Sequence, residues 1–107
     1  SPLDAVRGRA RRLRDLLVRA GVPGERLELV ETVARAGAGA LPVTEVPSVA
    51  VAAAVPAGEA DARAGLLRRG EPAVVCRVQE DRLLFDLRAV GDGEVEDLAG
   101  AALLALV

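Results

Sequence analysis

Gly70-Glu71-Pro72-Ala73-Val74-Val75-Cys76-Arg77-Val78-Gln79-Glu80-Asp81-Arg82-Leu83-Leu84-Phe85-Asp86-Leu87-Arg88-Ala89-Val90 is the stretch on which the fold turns. It reads as a helix stop followed by a β-hairpin. Val74, Cys76 and Val78 alternate with Val75, Arg77 and Gln79; after a short polar turn, Leu83, Phe85 and Leu87 alternate with Arg82, Leu84, Asp86 and Arg88. One face is apolar and the other carries charge. That pattern places a half-buried hairpin in an α+β domain.

Outward from the hairpin, the chain supplies partners for it. Glu59 to Arg69 reads as a short helix with Ala60, Ala64 and Leu67 inward and Gly70 as its stop. Before it, Val46 to Val55 is apolar apart from Pro47 and Ser48, as expected of a strand buried on both faces or at a domain seam, although its alanines also permit a helix. Residues 26 to 35 have the β-branched content and partial alternation of another strand. Gly37 to Pro42 reads as the loop between these two.

At the start, Ser1 is placed as an N-cap, Pro2 where its missing N–H costs nothing, and Asp4 near the positive end of the helix dipole. Leu3, Val6, Ala10, Leu13, Leu17 and Ala20 then recur at helical spacing until Gly21 and Pro23. At the other end, Asp92 or Gly93 opens a last helix with Val95, Leu98, Ala102 and Leu103 inward. The order α-β-β-α-β-β-α predicts a small antiparallel or mixed four-stranded sheet with helices mainly on one face. Opening on a capped helix without an initiator Met suggests a piece of something longer.

A length of 107 residues suits one domain, and 51% apolar with 28% charged residues is enough to build a core. The net charge of −2 hides an asymmetry: seven Arg face three acids in residues 1 to 26, and seven Arg face thirteen acids in the rest. All fourteen basic residues are Arg, and His, Lys, Trp, Tyr and Met are absent. This bias toward Arg, Ala, Val, Gly and Leu is what a GC-rich coding sequence produces. It also excludes chemistry. Without His or a second Cys there is neither a zinc cluster of the usual ligands nor a Ser-His or Cys-His nucleophile pair. Without Lys no side chain forms a pyridoxal-phosphate Schiff base or serves a phosphate-binding loop. The single cysteine excludes an internal disulfide and suits a reducing compartment. No apolar run reaches the ~18 to 20 residues of a membrane span, and the first twenty residues are Arg-rich and amphipathic rather than a signal segment. The simplest location is cytoplasmic.

Two stretches carry a resemblance. Gly37-Ala38-Gly39-Ala40-Leu41-Pro42-Val43-Thr44-Glu45-Val46-Pro47-Ser48 is similar to a Gly-Gly-Gly-Ser-Leu-Pro-Gly-x-Glu-Leu-Pro-Ser run, and the hairpin is similar to a pattern ending Gly-Arg-Leu-Leu-Leu-Asp-Leu-Arg-Thr-Val. Both patterns belong to the C-terminal domain of bacterial selenocysteine synthase, L-seryl-tRNA(Sec) selenium transferase. The Pro-Leu-Asp-Ala-Val-Arg helix and the acidic last helix fall in the same order. Ala40, Val43, Cys76, Asp81 and Ala89 depart from the pattern, where the family has Ser, Gly, Gly, Gly and Thr. Ala40 and Ala89 thus lack the hydroxyls that the family carries there.

The resemblance implies a pyridoxal-5'-phosphate enzyme of the aspartate-aminotransferase-like fold that converts seryl-tRNA(Sec) to selenocysteyl-tRNA(Sec) with selenophosphate. Residues 1 to 107 would be its C-terminal small domain, with the cofactor held by the large catalytic domain of the same chain. It implies a homo-oligomeric, ring-like full-length enzyme and an inactive isolated domain. Two other assignments compete: the small domain of a related pyridoxal-phosphate enzyme acting on a small amino acid, and a free-standing α+β binding or regulatory module.

Arg88 is the leading candidate for a functional contact, because related folds use a small-domain arginine to grip a carboxylate through its rigid fork. An amino acid esterified to tRNA has no free carboxylate, so an ion pair with Asp86 or a contact at the domain seam is the competing role. Gly37, Gly39 and Leu41 lie in a loop whose glycines permit close backbone approach to a ligand, against the plain alternative of a turn between strands. Arg7, Arg11 and Arg14 line one side of the first helix and suit tRNA phosphates; a solvated helix face is the simpler account. Cys76 is expected in the core, and Glu80 and Asp81 in a solvated turn.

Overall fold

The computed structural model describes residues 2–36 and 44–107. Three helices and four strands follow in the expected order: α1 (Pro2–Arg19), β1 (Leu27–Ala36), β2 (Thr44–Ala54), α2 (Ala60–Arg69), β3 (Arg77–Gln79), β4 (Arg82–Asp86) and α3 (Val95–Leu106). The strands form one sheet in the order β1-β2-β4-β3, antiparallel at every pairing. The class is α+β. The expected N-cap at Ser1 and the loop from Gly37 to Pro42 lie outside the described residues.

α1 buries Val6, Ala10, Leu13 and Leu17, the stripe its spacing predicts. Ala20, assigned inward from sequence, is exposed because the helix ends at Arg19 and Ala20 begins the turn. There Gly21 adopts φ +110, the left-handed conformation that favours glycine. Its N–H bonds Val18 O at 3.0 Å and Val22 N–H bonds Leu17 O at 3.0 Å, the two bonds of a Schellman stop. The buried Val22 packs back on the core beside Leu17.

β2 is the centre of the molecule. It lies between β1 and β4, and every residue from Ser48 to Ala53 is at most 1% exposed, which is why its sequence is almost continuously apolar. Val49, Val51 and Ala53 join Leu83, Phe85 and residues of all three helices in the main core. No described helix covers the opposite face, where Ala50, Ala52 and Leu84 make a small second cluster with Val30.

The hairpin has the expected turn but a shorter first strand. Only Arg77–Gln79 pair with β4, in the register Arg77↔Leu84, Val78↔Leu83, Gln79↔Arg82. Val74 to Cys76 is irregular because Val74 N–H bonds back to Leu67 O at 2.9 Å, at the end of α2, instead of joining the ladder. Cys76 is nevertheless buried, whereas Val78 is 37% exposed. Glu80 and Asp81 have φ 54 and 59, which is the type I′ geometry of a two-residue hairpin.

The last helix starts three residues later than Asp92. Asp92–Glu94 is a 3-10 turn held by Glu94 N–H to Gly91 O (2.9 Å) and by Gly91 N–H to Glu94 Oε1 (2.8 Å). α3 then buries Val95, Ala99, Ala102, Ala105 and Leu106, with Leu98 and Leu103 half-buried.

Several arginines serve the backbone. Arg26 donates Nε and Nη2 to Ala54 O (3.1 and 2.9 Å) and Nη1 to Leu106 O (3.1 Å), tying the start of β1 to the ends of β2 and α3. Arg9 donates Nε and Nη2 to Leu87 O (3.2 and 3.0 Å), and Arg63 donates Nη1 to Ala105 O (2.6 Å). A guanidinium has five donors in a fixed fork, so it satisfies carbonyls at element ends that a single ammonium would reach only one at a time.

Candidate functional site

The two stretches singled out in the sequence meet on the uncovered face of the sheet. β4 pairs with β2 over Ala50 to Ala54, ending at Ala50↔Asp86, and Leu87 N–H adds one bond to Val49 O at 3.2 Å. Two residues further along β2, Pro47 has no N–H to continue the ladder. Its carbonyl accepts a hydrogen bond from Arg88 Nη2 instead. Pairing gives way to side chains at this point.

Asp86 is the hub. Its Oδ1 accepts the hydroxyl of Ser48, which is 1% exposed, and the backbone N–H of Arg88 at 3.0 Å. Arg77 Nη2 stands 3.2 Å from Asp86 Oδ2, close enough for charge attraction although not aligned as a hydrogen bond. The same guanidinium donates to Thr32 Oγ1 (3.2 Å) and Val33 O (3.4 Å) on β1. Arg77 starts on the far edge strand, opposite Leu84, and the small side chains of Ala50 and Ala52 leave room for it to lie across the sheet. Arg88 is half-buried, and its Nε has no acceptor among the described residues.

The ion pair expected between Arg88 and Asp86 is not what forms. Asp86 takes its charge partner from Arg77, and Arg88 reaches it through the backbone. Residues two apart on a strand share a face, but the Arg88 guanidinium is engaged by the open Pro47 carbonyl and the Asp86 carboxylate by Arg77. Ser48, Thr32 and Arg77 were not singled out from sequence. Ser48 was legible as the last residue of its motif and as the one hydroxyl in the apolar run from Val46 to Val55; nothing in sequence marked the reach of Arg77.

The other candidates are dispersed. Arg14 donates Nε to Leu27 O (3.2 Å) and Nη2 to Gly24 O (3.1 Å), holding the turn after α1. Arg7 lies 3.8 Å from Glu31, and Arg11 is exposed. Gly37, Gly39 and Leu41 lie outside the described residues. Glu80 and Asp81 are exposed in their turn, with Asp81 Oδ2 accepting Gly58 N–H at 3.1 Å. Burial pushes the Cys76 thiol above its ordinary pKa, opposed in part by the charge of Arg68, so it is a poor nucleophile at neutral pH.

Beside Asp86, a recess of about 270 Å³ opens between Pro72–Val75, the end of β4 and the start of α3, with Phe85, Val90 and Leu98 in its lining and Glu94 and Asp97 at its rim. No group of three or more potential metal ligands occurs among the described residues. No described helix is long and apolar enough to cross a membrane.

Comparison with known proteins matches residues 1–91 to the L-seryl-tRNA selenium transferase family. An L-seryl-tRNA(Sec) selenium transferase of Moorella thermoacetica is 43% identical over 103 residues, 96% of this chain and 22% of its own length. One of Aquifex aeolicus is 38% identical over 86 residues, 80% of this chain and 19% of its length. One of Hyphomonas neptunium is 34% identical over 100 residues, 94% of this chain and 21% of its length. The chain thus spans about one fifth of these relatives.

Proposed function

The chain belongs to the L-seryl-tRNA selenium transferase family, and from that premise we propose that it is the C-terminal small domain of an enzyme that makes selenocysteyl-tRNA(Sec) from seryl-tRNA(Sec) and selenophosphate. The family match across residues 1–91 carries the proposal. The meeting of Ser48 with Asp86 supports it, because the two family-like stretches then form one structural unit.

The division of labour follows from residue types. Pyridoxal phosphate is bound through a lysine Schiff base, and this chain has no lysine. The residues present do not fit the cofactor. In the proposal it is held by the large catalytic domain, as in aspartate-aminotransferase-like enzymes, and residues 1–107 alone are inactive. The whole enzyme is a cytoplasmic homo-oligomer.

What this domain contributes is a sheet presenting Arg88 at the domain seam, and Gly37, Gly39 and Leu41 are proposed as further contacts to the substrate or to the domain seam. Arg88 keeps a buried Nε–H without an acceptor among the described residues, and a buried donor left unpaired is costly. An oxygen from the catalytic domain or from the aminoacyl ester would satisfy it. Along α1, a contact to tRNA phosphates falls first to the exposed Arg11, next to Arg7, with Arg14 engaged in the fold.

The test is Arg88→Ala in the full-length enzyme, assayed for turnover and for seryl-tRNA affinity. A tenfold or larger loss in either is expected. Wild-type values in both would remove Arg88 from the proposal, and wild-type turnover in Gly39→Val would remove the loop.

A further inference from the structure

β1 and β2 run beyond the body of the sheet. They pair from Leu27↔Ala53 to Ala36↔Thr44, but β4 accompanies β2 only from Ala50 to Ala54. Residues 31–36 and 44–49 therefore form a two-stranded ribbon past the last paired residue of β4, and an isolated two-stranded ribbon is marginal in water. Apart from Ser48 and Val49, which are buried at its base, its described side chains offer little apolar support, with Glu31, Glu45 and Pro47 exposed and Val33 44% exposed.

Two guanidinium groups grip its base, one on each strand. Arg77, from β3, holds Thr32 and Val33 of β1. Arg88, just past β4, holds Pro47 of β2. Asp86 joins the two: it pairs with Arg77 through one oxygen and fixes the Arg88 backbone and Ser48 through the other. The bonds to Thr32, Val33, Pro47 and Ser48 run from the β3–β4 hairpin and its end to the ribbon, and Arg7 of α1 adds only a 3.8 Å approach to the exposed Glu31, so the hairpin supplies the hydrogen bonds that orient the ribbon as it leaves the domain.

We propose that Arg77, Asp86 and Arg88 form a clamp that sets the position of the β1–β2 ribbon, and that Arg77 is thereby a positioning residue for the transferase reaction. The first half rests on the geometry alone. The second rests on the functional reading above.

Hydrogen exchange followed by mass spectrometry tests the first half. In Arg77→Met/Arg88→Met, which keeps the aliphatic stems, the ratio of exchange rates in 31–36 and 44–49 to those in 50–54 and 82–86 should rise at least tenfold. Ala64→Gly, which weakens α2 in the main core on the helix-covered face, should leave that ratio within twofold. An unchanged ratio in the double variant overturns the clamp. For the second half, Arg77→Met in the full-length enzyme should lower kcat at least fivefold with KM for seryl-tRNA within twofold, and Arg77→Lys should restore less than half of it. A raised exchange ratio with unchanged kcat overturns the positioning role and leaves the transferase reading intact. Failure of that reading shows separately, as a wild-type full-length protein that does not selenylate seryl-tRNA.

Discussion

Replacing Asp86 with Ala removes the acceptor on which three partners converge, and the structure allows its cost to be apportioned. The Ser48 hydroxyl, 1% exposed, loses its partner without gaining water; a buried hydroxyl left unpaired costs about 1–3 kcal/mol. The Arg88 N–H at 3.0 Å loses a charged acceptor, worth about 1.5 kcal/mol. The Arg77 side chain is 41% exposed, so its attraction to Asp86 is screened and adds under about 1 kcal/mol. Asp86→Ala should therefore destabilise the domain by about 3 kcal/mol, roughly 13 °C in Tm for a domain of this size. Asp86→Asn keeps an acceptor for both Ser48 and Arg88 and should lose only about 1 kcal/mol. Ser48→Ala should lose about 1 kcal/mol, and Ser48→Ala/Asp86→Ala should fall short of the sum by about 1 kcal/mol, because the stranded hydroxyl is gone. Urea denaturation of the wild type and these four variants reads all four quantities. A loss below about 0.5 kcal/mol for Asp86→Ala, or strict additivity, would refute the hub assignment.

Three further outcomes follow from single features. Glu80 sits at φ 54 without being glycine, a region where Asn is far better tolerated, so Glu80→Asn should stabilise by about 0.5–1 kcal/mol in the same denaturation assay. Arg26→Lys cannot serve Ala54 O and Leu106 O together and should cost about 2 kcal/mol, read as a lower urea midpoint at unchanged m-value. Cys76 has a raised folded-state pKa, so the folded protein binds its thiol proton more tightly than the unfolded chain. Its contribution is complete below the unfolded thiol pKa of about 8.5 and is lost as pH rises from there through the folded value. Cys76→Ala should flatten the fall in stability between pH 8 and 10, and an equally steep fall in the variant would contradict the assignment.

The elements were legible in the sequence wherever periodicity met a clear stop. α1 ends where Gly21 and Pro23 predict, and the continuous apolar run of β2 is the buried central strand. Local rules failed where a distant partner decided the outcome. Val74 to Cys76 alternate like a strand, but the end of α2 captures the Val74 N–H. Arg88 and Asp86 suggest a pair by spacing alone, but a proline carbonyl on β2 and an arginine from β3 compete and win. The arginine bias read as composition turns out to supply N–H donors to backbone carbonyls at several element ends, which no sequence spacing shows because the contacts span up to 80 residues.

The central proposal is that this chain is the small domain of a selenium transferase whose cofactor chemistry lies elsewhere in the polypeptide. The most direct measurement is formation of selenocysteyl-tRNA(Sec) from seryl-tRNA(Sec) and selenophosphate, by the full-length protein and by residues 1–107 side by side. Conversion by the full-length protein and none by residues 1–107 is the predicted result. Conversion by residues 1–107 alone, or none by the full-length protein with pyridoxal phosphate supplied, would contradict it.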